Sequence, residues 1–496
     1  MHFAHVVATA IAATSCAVIL DPDDYADPPR GGAGAAGGSA ATGGAGGGGT
    51  GGGEACATTT TELTPQWVRA IAEGANAQHA LDVGVDSANN VYLLGDCAGM
   101  PTLDTGGPML TDCSFGGDHL IVMKVSSSGE LAWSQRIDSP VLLKDRAALA
   151  VEGEDDLWIA GGFGAAVGDV VVAKGCDPKA GAGASDAFVM HLGSQGNCTK
   201  LVTFGGTGLD SATDVVALGG GEVAIAGRFN GAMTIGSLLN ATGNFDTFVA
   251  RLDANGNPLW ATAMNGGAND PLVRLGFGGG KLFAAGTFSG ETDCCGNPKD
   301  GRARDVFVAG LHPMTGALGA TWVFGGAGEE RLLDIVVDEI GSPTLLTTFA
   351  SARLDPDLGV TSNGGNEVLI IGLDPNAALR FALDDDGQAE SGGLARDPVT
   401  RDLTFVVGSE EPLVGTQSFG KYDVYAGRVG CAGDRGWTEC YGDMGDDQTG
   451  TAVAAAPAGW VAIAGTLAGT AAFNRTVSIN GGTSSDAFVV RFDPAP

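Results

Sequence analysis

Asp186-Ala187-Phe188-Val189, Asp246-Thr247-Phe248-Val249, Asp305-Val306-Phe307-Val308 and Asp486-Ala487-Phe488-Val489 are four copies of one short segment. A polar start followed by small, aromatic and β-branched residues reads as a buried strand. Weaker copies stand at Asp118-His119-Leu120-Ile121, Asn366-Glu367-Val368-Leu369 and Asp423-Val424-Tyr425-Ala426. The seven starts, at 118, 186, 246, 305, 366, 423 and 486, recur at steps of 57 to 68 residues. A fixed period of this length is the mark of a repeat architecture.

Working outward, a second strand keeps the same period. Its copies are Val91–Gly95, Leu157–Gly161, Val223–Gly227, Leu282–Gly286, Thr344–Thr348, Leu403–Gly408 and Trp460–Gly465. A short strand of small and branched residues precedes each, as in Asp214–Leu218 and Asp334–Val337. An aromatic-marked strand follows the Asp-x-aromatic segment at Trp133, Phe204, Trp260, Trp322, Phe381 and Trp437. Each repeat therefore holds four strands, here called a, b, c and d.

Four short strands per repeat form a propeller blade, and solenoid repeats are usually shorter. The Val-Ala-Ile-Ala-Gly and Asp-Ala-Phe-Val strands, with Phe204-Gly205-Gly206 and Phe324-Gly325-Gly326 turns, resemble the bacterial seven-bladed β-propeller repeat family. The resemblance covers about Trp67 to Asp493. It implies an all-β chain with one seven-bladed propeller of four-stranded antiparallel blades over 63–496. The last repeat lacks a d strand, whereas Pro65-Gln66-Trp67-Val68 is a d-type strand without a repeat. The expectation is that the N-terminal strand completes the last blade and removes an exposed sheet edge.

The start of the chain reads as an address. Val6–Ser15 is an apolar run too short to span a bilayer, and Ala13-Thr14-Ser15-Cys16 resembles a lipobox. Residues 1–15 are expected to be a signal peptide and Cys16 the lipidated residue of a Gram-negative lipoprotein, although the usual N-terminal Lys or Arg is missing. Residues 16–62 then form a tether, almost wholly Gly, Ala, Ser and Thr from Gly31 to Gly53. Such a stretch separates anchor from domain by about 25–30 Å. The address implied is an exported protein, lipid-anchored at the outer membrane or cell surface.

The chain carries 58 acidic against 26 basic residues, a net charge of -32. That excludes nucleic acid as a partner, because phosphate binding relies on Lys and Arg. A monomer is expected, with an unidentified surface protein or glycan as partner. Of 10 Cys, three pairs fall within single repeats: Cys97/Cys113, Cys176/Cys198 and Cys431/Cys440. Local pairs in an exported chain read as disulfides. Cys294 and Cys295 are adjacent; either they bond to each other as a vicinal disulfide, or one of them pairs with Cys56.

No nucleophile elbow, P-loop or zinc-protease motif is present in the sequence. One constellation remains. The d-to-a connections lie on one face of a propeller, and they carry acids including Asp210, Asp270, Glu330, Asp385 and Asp447. A ring of carboxylates suits Ca²⁺, a cationic ligand or a sugar, and a carboxylate pair suits glycoside cleavage. The plainer reading is that Asp after Gly-Gly binds nearby backbone N–H groups. With His and Tyr few and dispersed, a non-enzymatic binding module without a cofactor is the favoured reading. A carbohydrate-active hydrolase or lyase and a passive structural surface protein are the alternatives.

Overall fold

The computed structural model describes residues 62–494, apart from 73–75, 115, 145–146, 243, 265–271, 293–298, 357, 363–364, 414–415, 418–421, 443–446 and 475–476. For 290–292, 299–303, 355, 386 and 480–483 only the backbone path is described. The proposed signal segment, Cys16, the tether, Cys56, Asp270, Cys294 and Cys295 lie outside the described residues.

The strands assemble into consecutive four-stranded antiparallel sheets, ordered a-b-c-d. Blade 1 runs Ala80–Val85, Val91–Cys97, Asp118–Val125 and Leu131–Ser139. Blade 2 runs Ala148–Glu152, Asp156–Phe163, Asp186–Leu192 and Cys198–Gly206. Blade 3 comprises Ser211–Gly219, Glu222–Phe229, Asp246–Leu252 and Pro258–Met264. Blade 4 comprises Val273–Gly278, Lys281–Thr292, Lys299–Leu311 and Leu318–Gly326.

One long strand, Leu379–Arg396, serves two blades. Its first part pairs with Glu367–Leu373 as strand d of blade 5, and its second part pairs with Leu403–Ser409 as strand a of blade 6. Blade 5 begins with Glu330–Val337 and Pro343–Phe349, and blade 6 ends with Asp423–Val429 and Arg435–Tyr441. Blade 7 takes strands a to c from Gln448–Ala455, Val461–Ala472 and Ser478–Pro494. Its strand d is the N-terminal strand Leu63–Ala72, paired from Leu63↔Pro494 to Ile71↔Ala487 with Trp67 opposite Arg491. The expected closure is present.

Apolar side chains fill the spaces between neighbouring blades. Ile71, Val489 and Ala464 of blade 7 pack on Leu93 and Ile121 of blade 1. Leu94 and Val122 of blade 1 pack on Leu157 and Phe188 of blade 2. The same arrangement continues to Val424 and Ala426 of blade 6 against Ile463 and Phe488 of blade 7. Strands b and c are therefore buried on both faces, which explains why they read as continuous apolar runs. Full burial of each such Val, Leu, Ile or Phe contributes about 1.5–3 kcal/mol.

Two details refine the repeat. Gly161 pairs with Phe188, whereas Gly95 pairs with Ile121. His119, not Asp118, thus occupies the position of Asp186 in blade 1, and Glu367, opposite Phe349, does so in blade 5. The d-strand aromatics also fall into two classes. Trp67, Trp133, Trp260 and Phe381 sit opposite Arg491, Lys124, Arg251 and Gly372, one shared register. Phe204 and Trp322 sit elsewhere, opposite Ala187 and Val308.

The b-to-c connections form a feature that the repeat period does not announce. Short strands within them pair with the outer strand of the preceding blade. Leu103 of blade 1 pairs with Ile71, Ala173 of blade 2 with Ile137, and Thr234 of blade 3 with Gly205. In blade 5, Asp355 pairs with Gly325. Covering part of an outer edge in this way removes unpaired backbone groups that would recruit other chains.

Disulfides reinforce these excursions. Cys97 is bonded to Cys113 with their Cα atoms 6.0 Å apart, and Cys176 to Cys198 at 5.4 Å. Cys431 and Cys440 are disulfide-bonded as well.

Candidate functional site

The candidate face is built on the innermost strands. Asp210 and Glu330 open strand a in blades 3 and 5 and are fully buried. Asp210 accepts hydrogen bonds from the backbone N–H of Gly206 at 2.7 Å and Asn230 at 3.2 Å. Glu330 accepts from Gly326 N–H at 2.9 Å and Ser351 N–H at 3.2 Å. The equivalent positions in blades 1 and 7 hold Gln78 and Gln448, also fully buried, which donate to the carbonyls of Ala98 and Ala468. The shared task is therefore to tie the end of strand b to the entry of strand a. Burial pushes the Asp210 carboxyl up to about 6 and raises Glu330 as well, against the lowering effect of those N–H groups.

Asp385 and Asp447 are placed differently. Asp385 lies on strand d of blade 5, nearly buried, and accepts from Arg435 of blade 6 at 2.7 Å. That ion pair borders a small cavity between the two blades, also lined by Leu383, Phe405 and Arg428. Asp447 is exposed at the entry to blade 7. Among the described residues no group of three or more His, Cys, Asp or Glu side chains is arranged to hold a metal ion.

Four residues beyond the rim, the same strands carry a second level of charge. Asp82, Asp214 and Asp334 stand in strand a of blades 1, 3 and 5, one residue before Val83, Val215 and Ile335. Each spans to the following blade. Asp82 accepts from Leu149 N–H at 2.8 Å, Asp214 from Leu275 N–H at 2.5 Å, and Asp334 from Leu394 N–H at 2.7 Å. The other oxygen of each accepts from the next residue's own N–H, at 2.8–2.9 Å.

Arg274 of blade 4 occupies the equivalent position and donates to the Thr213 carbonyl at 2.9 Å. Its charge acts on all three aspartates, including Asp82 three blades away, so the four groups face a common axis. Burial outweighs Arg274. It pushes Asp82 to about 6 and Asp214 to about 7, and it raises Asp334. This girdle joins blades 1 to 2, 3 to 4 and 5 to 6 at the axis.

The sequence reading did not single out this girdle. Its signal is the recurrence of Asp82-Val83, Asp214-Val215 and Asp334-Ile335 in alternate repeats. The acids that open strand c are also engaged with backbone. Asp186 accepts from Ala182 N–H at 2.8 Å and Gly183 N–H at 3.1 Å, and Asp246 from Thr242 N–H at 2.6 Å.

No family model and no curated protein matches this sequence. Solved structures similar to the chain include the Dos1 propeller, at 10% identity and TM-score 0.44 over 87% of this chain and 95% of that one. A polysaccharide lyase of family PL25, an ulvan lyase, aligns at 9% identity and TM-score 0.43 over 82% and 93%. The Neurospora crassa Pan2 WD40 domain aligns at 9% identity and TM-score 0.40 over 84% and 90%.

Proposed function

We propose that this chain is an exported lipoprotein, anchored through Cys16, that carries its propeller on a flexible tether as a non-enzymatic binding module. The observation that supports export is the disulfides, Cys97–Cys113 in blade 1 and Cys176–Cys198 in blade 2. Such bonds persist in oxidising compartments, and in the cytosol thiols are kept reduced. A scaffold role for the described carboxylates supports the binding reading. Asp210, Glu330, Asp82, Asp214 and Asp334 all bind backbone N–H groups, which leaves recognition to the outer loops.

Labelling with an alkyne fatty acid in a Gram-negative host, followed by protease treatment of intact cells, tests the address. Wild type should be labelled and cleaved from the surface, and Cys16→Ser should lose the label. An unlabelled wild-type protein retained in the cytosol would refute it. The module reading is tested on the same purified protein with a panel of surface glycans. Retention of a glycan unchanged supports binding, and its depolymerisation would establish the enzymatic alternative.

A further inference from the structure

The described face formed by the a-to-b and c-to-d turns carries an arginine cluster at the junction of blades 5 and 6. The two ends of the long strand Leu379–Arg396 contribute Arg380 and Arg396, and the following turn contributes Arg401. All three guanidinium groups gather around the a-to-b turn of blade 5, where the acids are Asp338 and Glu339.

The pairing is loose. Arg401 Nε meets Glu339 at 2.8 Å. Arg380 reaches Asp338 only at 3.8 Å, and Arg396 reaches both Asp338 and Glu339 only at 3.8 Å, beyond hydrogen-bond range. The other oxygen of Asp338 accepts from Ile340 and Ser342 N–H at 3.1 and 2.6 Å, which holds the carboxylate on its own turn. The Arg396 Nε–H is buried and lacks an acceptor. Buried donors of this kind are costly to leave unpaired.

Neighbouring charges are already committed. Arg428 is buried against Asp397 and Asp402. Lys281 donates to the Pro375 carbonyl at 2.9 Å, and Asp374 accepts from Asn376 and Ala378 N–H at 2.8 and 2.9 Å. Burial lowers the Arg396 pKa, and the like charges of Arg380 and Arg401 lower it further against Asp338 and Glu339. Arg396 therefore has a donor to spare, and Arg380 meets Asp338 only at long range.

We propose that Arg380, Arg396 and Arg401 form a binding site for a tetrahedral oxyanion, the phosphate or sulfate group of a ligand. Planar guanidinium forks match such oxygens in pairs. The side chains of Arg380 and Arg401 are about one-third exposed, so an anion can reach them, while Arg396 supplies the inner donor. Ile340 and Val399, 61% and 66% exposed, flank the acids and Arg401 in sequence and offer apolar contact to the ligand's carbon body. This local site runs against the chain's acidic balance and does not depend on surface display.

Calorimetric titration of the full-length chain with inorganic phosphate, and separately with sulfate, tests the site. Sodium chloride at matched ionic strength is the reference, because it screens diffuse attraction equally. Saturable binding of either probe, weakened at least tenfold in Arg380→Gln and in Arg401→Gln, is the expected result. Which probe binds more tightly separates a phosphate from a sulfate ligand. Arg435→Gln, which alters an arginine bonded to Asp385, should bind as wild type does. Circular dichroism shows whether each variant is folded. No saturable binding, unchanged binding in both cluster variants, or equal loss in Arg435→Gln would overturn the site.

Discussion

The indole N–H of Trp67 donates to the carbonyl of Ser127 at 2.9 Å, and the guanidinium of Arg491 donates to the same oxygen at 2.6 Å. Trp67 and Arg491 face each other across blade 7, on strands from opposite ends of the chain, whereas Ser127 belongs to the c-to-d turn of blade 1. One carbonyl therefore joins the first and last described strands and the first and last blades. Trp133 repeats the contact with Ser194 of blade 2, and Trp260 with Pro313 of blade 4.

Removing this clasp should weaken the whole domain. Trp67→Ala should cost about 2–4 kcal/mol, since the ring is only half buried. Trp67→Phe keeps most of the packing and loses the hydrogen bond, at about 1 kcal/mol. Urea unfolding midpoints for the two variants should rank in that order. Deletion of residues 31–53, a stretch outside the described residues, should leave the midpoint unchanged.

The domain should be more stable at mildly acidic pH than at pH 8. Asp82, Asp210 and Asp214 have pKa values raised by burial to about 6, 6 and 7, above an ordinary value of 3.8. Between those limits the folded chain holds more protons than the unfolded one, so stability falls as pH rises through 6 to 7. The stabilisation is fully present below about pH 4, where acids of lowered pKa such as Asp86 begin to act in the opposite sense. Melting temperatures from pH 8 to pH 4.5 should rise on acidification. Asp214→Asn should flatten the profile, and an unchanged profile would refute the role of this carboxylate.

Glycine is required for two separable reasons at Gly196, in the c-to-d turn of blade 2, and Gly220, in the a-to-b turn of blade 3. Gly196 and Gly220 have φ of 72° and 71°, but a Cβ on Gly196 would lie 2.6 Å from the Trp133 ring, while one on Gly220 would meet nothing within 4 Å. Gly220→Ala should cost about 1–2 kcal/mol from backbone conformation alone. Gly196→Ala should cost more, because the blade 1 indole stacks on that turn. Thermal melts of the two variants give the difference.

The Cys97–Cys113 bond closes a loop of sequence separation 16 and holds the excursion that covers the outer strand of blade 7. Cys97→Ser with Cys113→Ser should cost about 3 kcal/mol. Limited proteolysis should then cut within residues 98–117 before it cuts the blades.

Much of the architecture is legible in the sequence because strands b and c are buried between two blades and must repeat their apolar pattern every blade. Trp67 was readable as a stray d strand for the same reason, since its pattern matched Trp133 and Trp260. The carboxylates were readable as residues but not as roles. Asp210 and Glu330 look like ligands in a list of acids, and only their bonds to Gly206, Asn230, Gly326 and Ser351 show them tying strand ends together.

The sequence by itself determined the four-stranded repeat and the strand that closes the ring, because these follow from local burial repeated along the chain. Tertiary structure alone decided which acids share the axis and where arginines gather around one turn. Asp82, Asp214, Asp334 and Arg274 come within electrostatic reach of one another only when blades far apart in sequence are brought around a common centre. Arg380 and Arg396, sixteen residues apart on one strand, reach the same turn only because that strand crosses from blade 5 to blade 6. Charge has no period in this chain, so its meaning depends on distance through space.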